Sequence, residues 1–222
     1  MIRNIVWNID GTLFDTYPAI TCALSRSLNR LGMPVALNTI DGLVRQSFDL
    51  CVVTLSRRYK VDADALQQFF DEEYQALSPY NQLPVAGAGE VCRFIQDQGG
   101  RNLVLYDHNE EFVRRLLTVH GFAPFFVDGI CPGGGSLPGA AALHLEIAVN
   151  RLGLERKETL VVCDGDFNLR VGRAAGLQTC CIGQASIAEP SDLYFKDYSQ
   201  LLAFLEEQDG SCSRQAAGIS PS

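Results

Sequence analysis

Ile5-Val6-Trp7-Asn8-Ile9-Asp10-Gly11-Thr12-Leu13-Phe14-Asp15-Thr16 is the stretch around which the rest of the chain is organised. Its apolar start, Ile5 to Trp7, predicts a short buried strand. The strand ends in polar residues at alternate positions, Asn8 and Asp10. In an open parallel sheet, polar residues at the carboxyl end of a strand lie where ligands bind. Gly11 and Thr12 then turn the chain, since glycine adopts backbone angles that other residues avoid.

Composition narrows the class of protein. The 222 residues suit one large domain or a core with a small insert, and 47% hydrophobic with 20% charged residues is typical of a soluble globular protein. No apolar run approaches the ~18 residues of a membrane helix, and we expect no signal peptide and a cytoplasmic location. A net charge of −8 argues against a nucleic-acid partner. The eight cysteines include no Cys-x-x-Cys pair and are expected to be buried hydrophobes in a reducing compartment.

The pattern of elements divides the chain into parts. Residues 17–80 contain only helical periodicity, which indicates an insert. Within it, Asp62 is expected to cap a helix that buries Leu66, Phe69, Phe70, Tyr74 and Leu77 on one face. From Val85 onwards strands and helices alternate, with strands expected at 102–105, 125–131, 160–163, 178–182 and 193–195, and this alternation predicts a parallel sheet with right-handed crossovers. Asp197 and Gln200 predict a capping box for a closing helix that ends at Glu207. Residues 209–222 are rich in Ser, Gly, Ala and Pro and are expected to be disordered.

The opening stretch resembles the first motif of the haloacid dehalogenase (HAD) superfamily, in the branch with phosphoglycolate phosphatases and β-phosphoglucomutases. That motif reads apolar-apolar-apolar-Asp-x-Asp-Gly-Thr-Leu-x-Asp-Ser/Thr, and this chain matches it everywhere except at the first Asp, which is Asn8. The resemblance implies an α/β fold: a Rossmann-like core of residues 1–16 and 82–208, with an inserted all-helical cap of residues 17–81. In the family the first Asp is the nucleophile, and the second, here Asp10, is the general acid/base. The resemblance also implies that Gly11 and Thr12 contact the phosphate group of the substrate.

The second and third family motifs are altered. The second is a Ser or Thr that bonds the transferring phosphoryl group, and here either Tyr106 or Asp107 takes that position. His108 beside them is a candidate acid or base, or a solvated loop residue. The third is a Lys before Pro, and Leu137 stands in its place. The glycine-rich loop at 133–135 either presents backbone N–H groups to an anion or is a plain surface loop.

The fourth motif holds magnesium in the family, and its frame is well preserved at residues 162–176. Asp164 is present, but Asn168 stands at the position of the second acid of this motif. Asp166, between them, is a possible substitute for that acid. The resemblance implies that the Mg²⁺ ligands are Asn8, the carbonyl of Asp10 and Asp164. Because Mg²⁺ prefers carboxylate oxygens, we expect only weak metal binding.

Three functions are compatible with these changes. The first is a HAD-fold pseudoenzyme that has lost phosphatase activity and binds a small phosphorylated metabolite or a protein partner. The second is an active Mg²⁺-dependent phosphatase of a small phosphorylated metabolite, with Asp10, Asp107, Asp164 or Asp166 in new roles. The third is a structural subunit that dimerises through its cap. Asp10 also has a purely structural interpretation, as a carboxylate that ties the loop after the first strand. The sequence leaves the oligomeric state open.

Overall fold

The structure is a computed structural model that describes residues 1–106, 109–131, 138–183 and 189–216, with side chains described as far as residue 210. Its described strands form one parallel sheet: β1 (Asn4–Asn8), β2 (Arg101–Leu105), β3 (Phe126–Ile130), β4 (Thr159–Cys163), β5 (Gln178–Ile182) and β6 (Leu193–Phe195). Their order across the sheet is β3-β2-β1-β4-β5-β6. The predicted α/β class with a Rossmann-like parallel sheet is therefore confirmed.

The strand order reverses at the centre of the sheet. The chain runs outwards from β1 through β2 to β3, and then returns to place β4 on the other side of β1. Ligands of open α/β sheets bind outside the carboxyl ends of the strands at such a reversal. Asn8 ends β1 and Asp164 directly follows β4, so the fold itself brings these two positions together.

Four helices follow β1 in the chain and precede the remaining elements of the core: α1 (Tyr17–Arg30), α2 (Leu37–Val44), α3 (Phe48–Tyr59) and α4 (Ala63–Gln75). Each buries one apolar face, as the helical periodicity predicted, and Leu24, Leu55 and Leu66 are fully buried. Asp62 caps α4 as expected, because its carboxylate accepts a hydrogen bond of 2.8 Å from the backbone N–H of Ala65. The inserted helical cap is therefore present, whereas its boundaries at residues 17 and 81 stay a prediction.

The remaining helices cover both faces of the sheet: α5 (Ala88–Asp97), α6 (Glu110–Val119), α7 (Pro138–Arg151), α8 (Asp166–Ala174) and α9 (Tyr198–Ala216). Successive side chains of a strand point to opposite faces. Ile5 and Trp7 accordingly belong to the apolar cluster of α5, α6 and α9, while Val6 belongs to that of α7 and α8. Burial on both faces explains why β1 has an uninterrupted apolar run.

The C-terminal helix is longer than expected. Helix α9 continues to Ala216, past the predicted end at Glu207, while the disorder expected for residues 209–222 stays a prediction and residues 217–222 lie outside the described part of the chain. Extending an existing helix costs far less than starting one, and the buried Leu201 and Leu205 anchor the first turns of α9. The expected cap is partly present. Asp197 accepts from the N–H of Gln200 at 3.2 Å, but the Gln200 side chain accepts from Lys196.

The structure contains no helix that is both long and apolar enough to cross a membrane, within the residues that it describes.

Candidate active site

The candidate site lies where the loop after β1 meets the residue that follows β4. The loop turns tightly: the N–H of Gly11 donates to the carbonyl of Phe14 at 2.9 Å, and the N–H of Leu13 donates to Ile9 at 3.0 Å. Gly11 has a φ of +66°, which side chains disfavour. A Cβ atom there would collide with Asp164 Oδ2 and with the ring of Tyr17. Glycine at position 11 therefore allows the loop to approach Asp164 closely.

Asn8 directs its amide nitrogen into this loop. Nδ2 donates to the backbone carbonyl of Asp10 at 2.9 Å and, at 3.4 Å, to Oγ1 of Thr12. A carbonyl oxygen can only accept hydrogen bonds, so the nitrogen of Asn8 and not its oxygen must face Asp10. In the family motif this side chain is the nucleophilic carboxylate. Here it is a neutral amide that donates a hydrogen bond.

Asp164 is a buried carboxylate whose two oxygens both accept hydrogen bonds. The hydroxyl of Tyr17 donates to Oδ2 at 2.7 Å, and that of Thr12 donates to Oδ1 at 3.3 Å. Burial raises the pKa of Asp164, the hydrogen bond from Tyr17 opposes this rise, the negative charge of Asp10 adds to it and the Thr12 hydroxyl opposes it, so that the pKa lies at about 6. Burial and the adjacent Asp164 likewise raise the pKa of the Tyr17 hydroxyl. Tyr17 therefore stays protonated and acts as a donor.

Asp10 and Thr12 fasten the loop to neighbouring elements. The hydroxyl of Thr16 donates to Asp10 Oδ1 at 2.7 Å, immediately before α1 begins. The hydroxyl of the buried Tyr198, in α9, donates to the carbonyl of Thr12 at 2.9 Å. These contacts support the structural interpretation of Asp10, since its carboxylate holds the loop that carries it.

A cleft of about 740 Å³ opens above the loop, between the core and the helices α1–α4. One wall is aromatic, because the rings of Phe48, Phe70, Tyr74 and Phe112 contact one another in sequence at 4.6, 5.2 and 4.8 Å between centroids. The charged residues among the described lining are Arg45 and six aspartates: Asp10, Asp49, Asp64, Asp71, Asp164 and Asp166. The described lining is therefore strongly acidic.

The structure unites part of the predicted site. Asn8, Asp10 and Asp164 line this cleft, and so does Asn168, which lies in the first turn of α8. Gly11 and Thr12 form the loop beneath them. Asp166 also lines the cleft, and its Oδ1 accepts from the N–H of Glu189 at 3.2 Å. Three predicted residues, Asp107, His108 and Leu137, lie outside the described residues, as does the glycine-rich loop at 133–135.

Tyr106 lies apart from the described cleft, and its contact with phosphate stays a prediction. Its ring is buried against Gly129 of β3, where an added Cβ would lie 2.9 Å from Cε1 and 3.3 Å from the hydroxyl. Tyr106 is absent from the described cleft lining. The missing side chain at Gly129 provides room for the ring, and apolar contact with the sheet holds it there. The sequence identified the end of β2 but not the direction of this ring.

Two features of the cleft were missed. Phe70 and Tyr74 follow the helical period of α4 and were assigned to its buried face, yet both also line the cleft. The acidic residues Asp49, Asp64 and Asp71 carried no motif. Tyr17 and Arg45 also line the cleft. The guanidinium of Arg45 stacks on the Tyr17 ring at 4.7 Å.

The side chains present do not fit a magnesium site. Mg²⁺ requires near-ideal octahedral coordination and prefers carboxylate oxygens. Asp164 already accepts hydrogen bonds at both oxygens, and the implied ligand Asn8 directs an N–H group at the other implied ligand, the carbonyl of Asp10. No cluster of three His, Cys, Asp or Glu side chains able to hold a metal ion occurs in the described parts of the chain.

Comparison with known proteins supports the same family as the motifs. A family model described as "haloacid dehalogenase-like hydrolase" matches residues 2–176. The phosphoglycolate phosphatase of Nitrosococcus oceani is 28% identical over 193 residues, which cover 80% of this chain and 82% of that protein. That of Aquifex aeolicus is 23% identical over 214 residues, which cover 86% of this chain and 95% of that protein.

Solved structures share the fold. A predicted phosphatase from Clostridium acetobutylicum superimposes with a TM-score of 0.77 at 16% identity, covering 93% of this chain and 99% of that one. CbbY from Rhodobacter sphaeroides, solved in complex with phosphate, gives a TM-score of 0.72 at 17% identity, covering 90% and 96%. With the family model matching most of its length, this chain belongs to the haloacid dehalogenase-like hydrolase family, in the branch of the phosphoglycolate phosphatases.

Proposed function

We propose that this protein is a pseudoenzyme of the family, which binds a small metabolite in the cleft without hydrolysing phosphate esters. The observation that carries the proposal is the hydrogen bond from the Asn8 amide to the carbonyl of Asp10. A carboxylate nucleophile works because it is anionic and held in line with phosphorus. The Asn8 side chain is neutral, and its nitrogen is engaged within the loop.

The expected loss of rate is large. In a serine protease, removing the nucleophile lowers kcat by about 10⁶, and we expect an effect of similar order here. Asp10 and Asp164 do not readily replace the nucleophile, because each is held by hydroxyl donors that fix the loop. Both are nevertheless needed for the shape of the site, so their presence does not argue for turnover.

The charge of the cleft also weighs against binding a phosphate dianion. Six aspartates and one arginine line its described surface. Like charges in a cleft of low dielectric repel an anionic ligand more strongly than they would in water. The volume and the aromatic wall are nevertheless typical of a site for a small molecule. We therefore favour a metabolite without a free phosphate dianion over the phosphorylated metabolite expected from the sequence.

Hydrolysis of an aryl phosphate in the presence of Mg²⁺ tests the proposal. We compare the wild type with Asn8→Asp and with Asp164→Ala, and expect the wild type to be no faster than Asp164→Ala. Turnover by the wild type that Asp164→Ala abolishes would falsify the proposal. Thermal denaturation with a panel of neutral, cationic and phosphorylated metabolites then tests binding, with Phe70→Ala as the variant that breaks the aromatic wall.

The second candidate is an active phosphatase with rewired residues. The specific observation in its favour is that Asp10, Asp164 and Asp166 line one cleft in a chain whose relatives are named phosphoglycolate phosphatases. On this alternative the substrate is phosphoglycolate or a similar small phosphate ester, and Mg²⁺ is required. The assay above distinguishes the two candidates directly. A cytoplasmic location is part of both, and a protein partner in place of a metabolite stays a prediction.

A further inference from the structure

We infer that the hydroxyl of Tyr17 and the amide of Asn8 occupy, as hydrogen-bond donors, the positions that a divalent cation would need in this site. The chain would therefore have replaced a metal centre with a closed network of neutral donors. These two donors face Asp164 and the carbonyl of Asp10.

The first step concerns Asp164. A carboxylate that coordinates Mg²⁺ must offer the cation an oxygen lone pair directed at the site. Here the Tyr17 hydroxyl lies 2.7 Å from Oδ2, and the Thr12 hydroxyl lies 3.3 Å from Oδ1. The shorter and therefore stronger contact is the one from Tyr17. A cation that approached Oδ2 from the side of Tyr17 would have to displace this hydroxyl.

Asn8 and the carbonyl of Asp10 are directed at each other. The family resemblance implies that a side-chain oxygen at position 8 and the carbonyl at position 10 both point at the metal. In this structure the nitrogen of Asn8 lies 2.9 Å from that carbonyl. An N–H group directed at this carbonyl repels a cation and occupies one of the two lone pairs of the carbonyl oxygen. Two of the three implied ligands are thereby paired with each other.

The third step is that Tyr17 is held firmly in this position. Tyr17 is buried, with a relative exposure of 9%. The Arg45 guanidinium stacks on one part of its ring, and the Gly11 backbone approaches so closely that no Cβ fits between them. Tyr17 also begins α1, so the contact with Asp164 joins the first cap helix to the core. The hydroxyl is a positioned group and not a freely rotating one.

Titration with Mn²⁺, followed by its electron paramagnetic resonance signal, tests the inference. Mn²⁺ accepts the same oxygen ligands as Mg²⁺ and loses signal when bound. The full-length wild type is compared with Asn8→Asp, Tyr17→Phe and the double variant. The matched controls are Asn150→Asp and Tyr80→Phe, which make the same chemical changes at exposed positions away from the cleft. Circular dichroism verifies that each variant is folded.

We expect no saturable Mn²⁺ binding by the wild type or the controls. Asn8→Asp should gain a site, and adding Tyr17→Phe should tighten it by about tenfold or more, because the cation no longer has to displace a hydrogen bond to a charged oxygen. Loss of structure cannot create metal affinity, so this gain separates a positioning role from a merely structural one. Three results would overturn the inference: saturable binding by the wild type, no binding by the double variant, or equal affinity of Asn8→Asp with and without Tyr17→Phe.

The inference and the proposed function fail in different ways. A wild type that hydrolyses aryl phosphate without any divalent cation removes the proposed function and leaves the inference intact. A wild type that binds Mn²⁺ but does not hydrolyse aryl phosphate overturns the inference and leaves the proposed function intact. The wild-type titration needs no variant. It therefore tests whether the site excludes a divalent cation even if a substitution prevents folding.

Discussion

The buried charge of Asp164 predicts how stability changes with pH. The pKa of this carboxyl lies at about 6 in the folded protein, mainly because of burial, against an ordinary value of 3.8. A group whose pKa is raised by folding contributes stability that is fully present below the unfolded pKa and is lost as pH rises through the folded pKa. The ionisation of Asp164 should therefore lower the unfolding free energy of the wild type as the pH rises from about 4 to about 6.

The size of the effect follows from the difference between the two pKa values. At about 1.4 kcal/mol for each pKa unit, a rise of about two units costs about 3 kcal/mol of unfolding free energy at neutral pH, and about 2 kcal/mol of this falls between pH 4.5 and pH 7. Asp164→Asn keeps the shape and removes the charge. Relative to the wild type, this variant should gain about 2 kcal/mol of stability over that pH interval.

Urea denaturation at the two pH values measures this gain. The absolute stability of Asp164→Asn matters less than its change with pH, because the amide also alters the hydrogen bonds from Tyr17 and Thr12. Asp97→Asn is the matched control, since it removes a carboxylate that is exposed to solvent. The reasoning is refuted if the difference between the wild type and Asp164→Asn is the same at both pH values.

Three further substitutions test the local structure, each by urea denaturation at neutral pH. Gly11→Ala should lower the unfolding free energy by at least about 2 kcal/mol, because a Cβ at φ +66° is strained and collides with its neighbours; an unchanged value would show that the loop can relax. Tyr198→Phe should cost about 1 kcal/mol by removing the donor to the Thr12 carbonyl, and no loss would mean that water replaces it. Asp62→Ala should cost about 1 kcal/mol as a lost cap of α4, whereas a stability equal to that of the wild type would contradict the capping role.

The fold was largely predictable because its signals are local. The apolar run of β1, the alternation of strands and helices, and the cap at Asp62 each depend on residues within one element. The convergence of Asn8, Asp10 and Asp164 was also predictable, since polar residues at the carboxyl ends of central parallel strands meet at one edge of the sheet. No contact between distant residues had to be known for these predictions.

The parts that were missed depend on distant contacts. Periodicity places Phe70 and Tyr74 on one face of α4 but cannot tell whether that face covers the core or lines a cleft. The ring of Tyr106 turned towards β3 because Gly129, 23 positions later, leaves space for it. The hydroxyl of Tyr17 reaches Asp164 across a separation of 147 residues. Such choices of direction are set by tertiary packing.

The hydrogen bonds of the loop explain how a motif frame can stay intact in a chain that, as we propose, has no turnover. The carboxylate of Asp10 accepts a hydrogen bond from Thr16, and that of Asp164 accepts hydrogen bonds from Tyr17 and Thr12. Both carboxylates therefore stabilise the loop whether or not any phosphate is transferred. The nucleophile position is under no such requirement, because the amide of Asn8 stabilises the same loop by donating to the Asp10 carbonyl. Asp10 and Thr12, which match the family pattern in this loop, thus each have a structural partner. Their presence is therefore a better guide to the fold of this chain than to its chemistry.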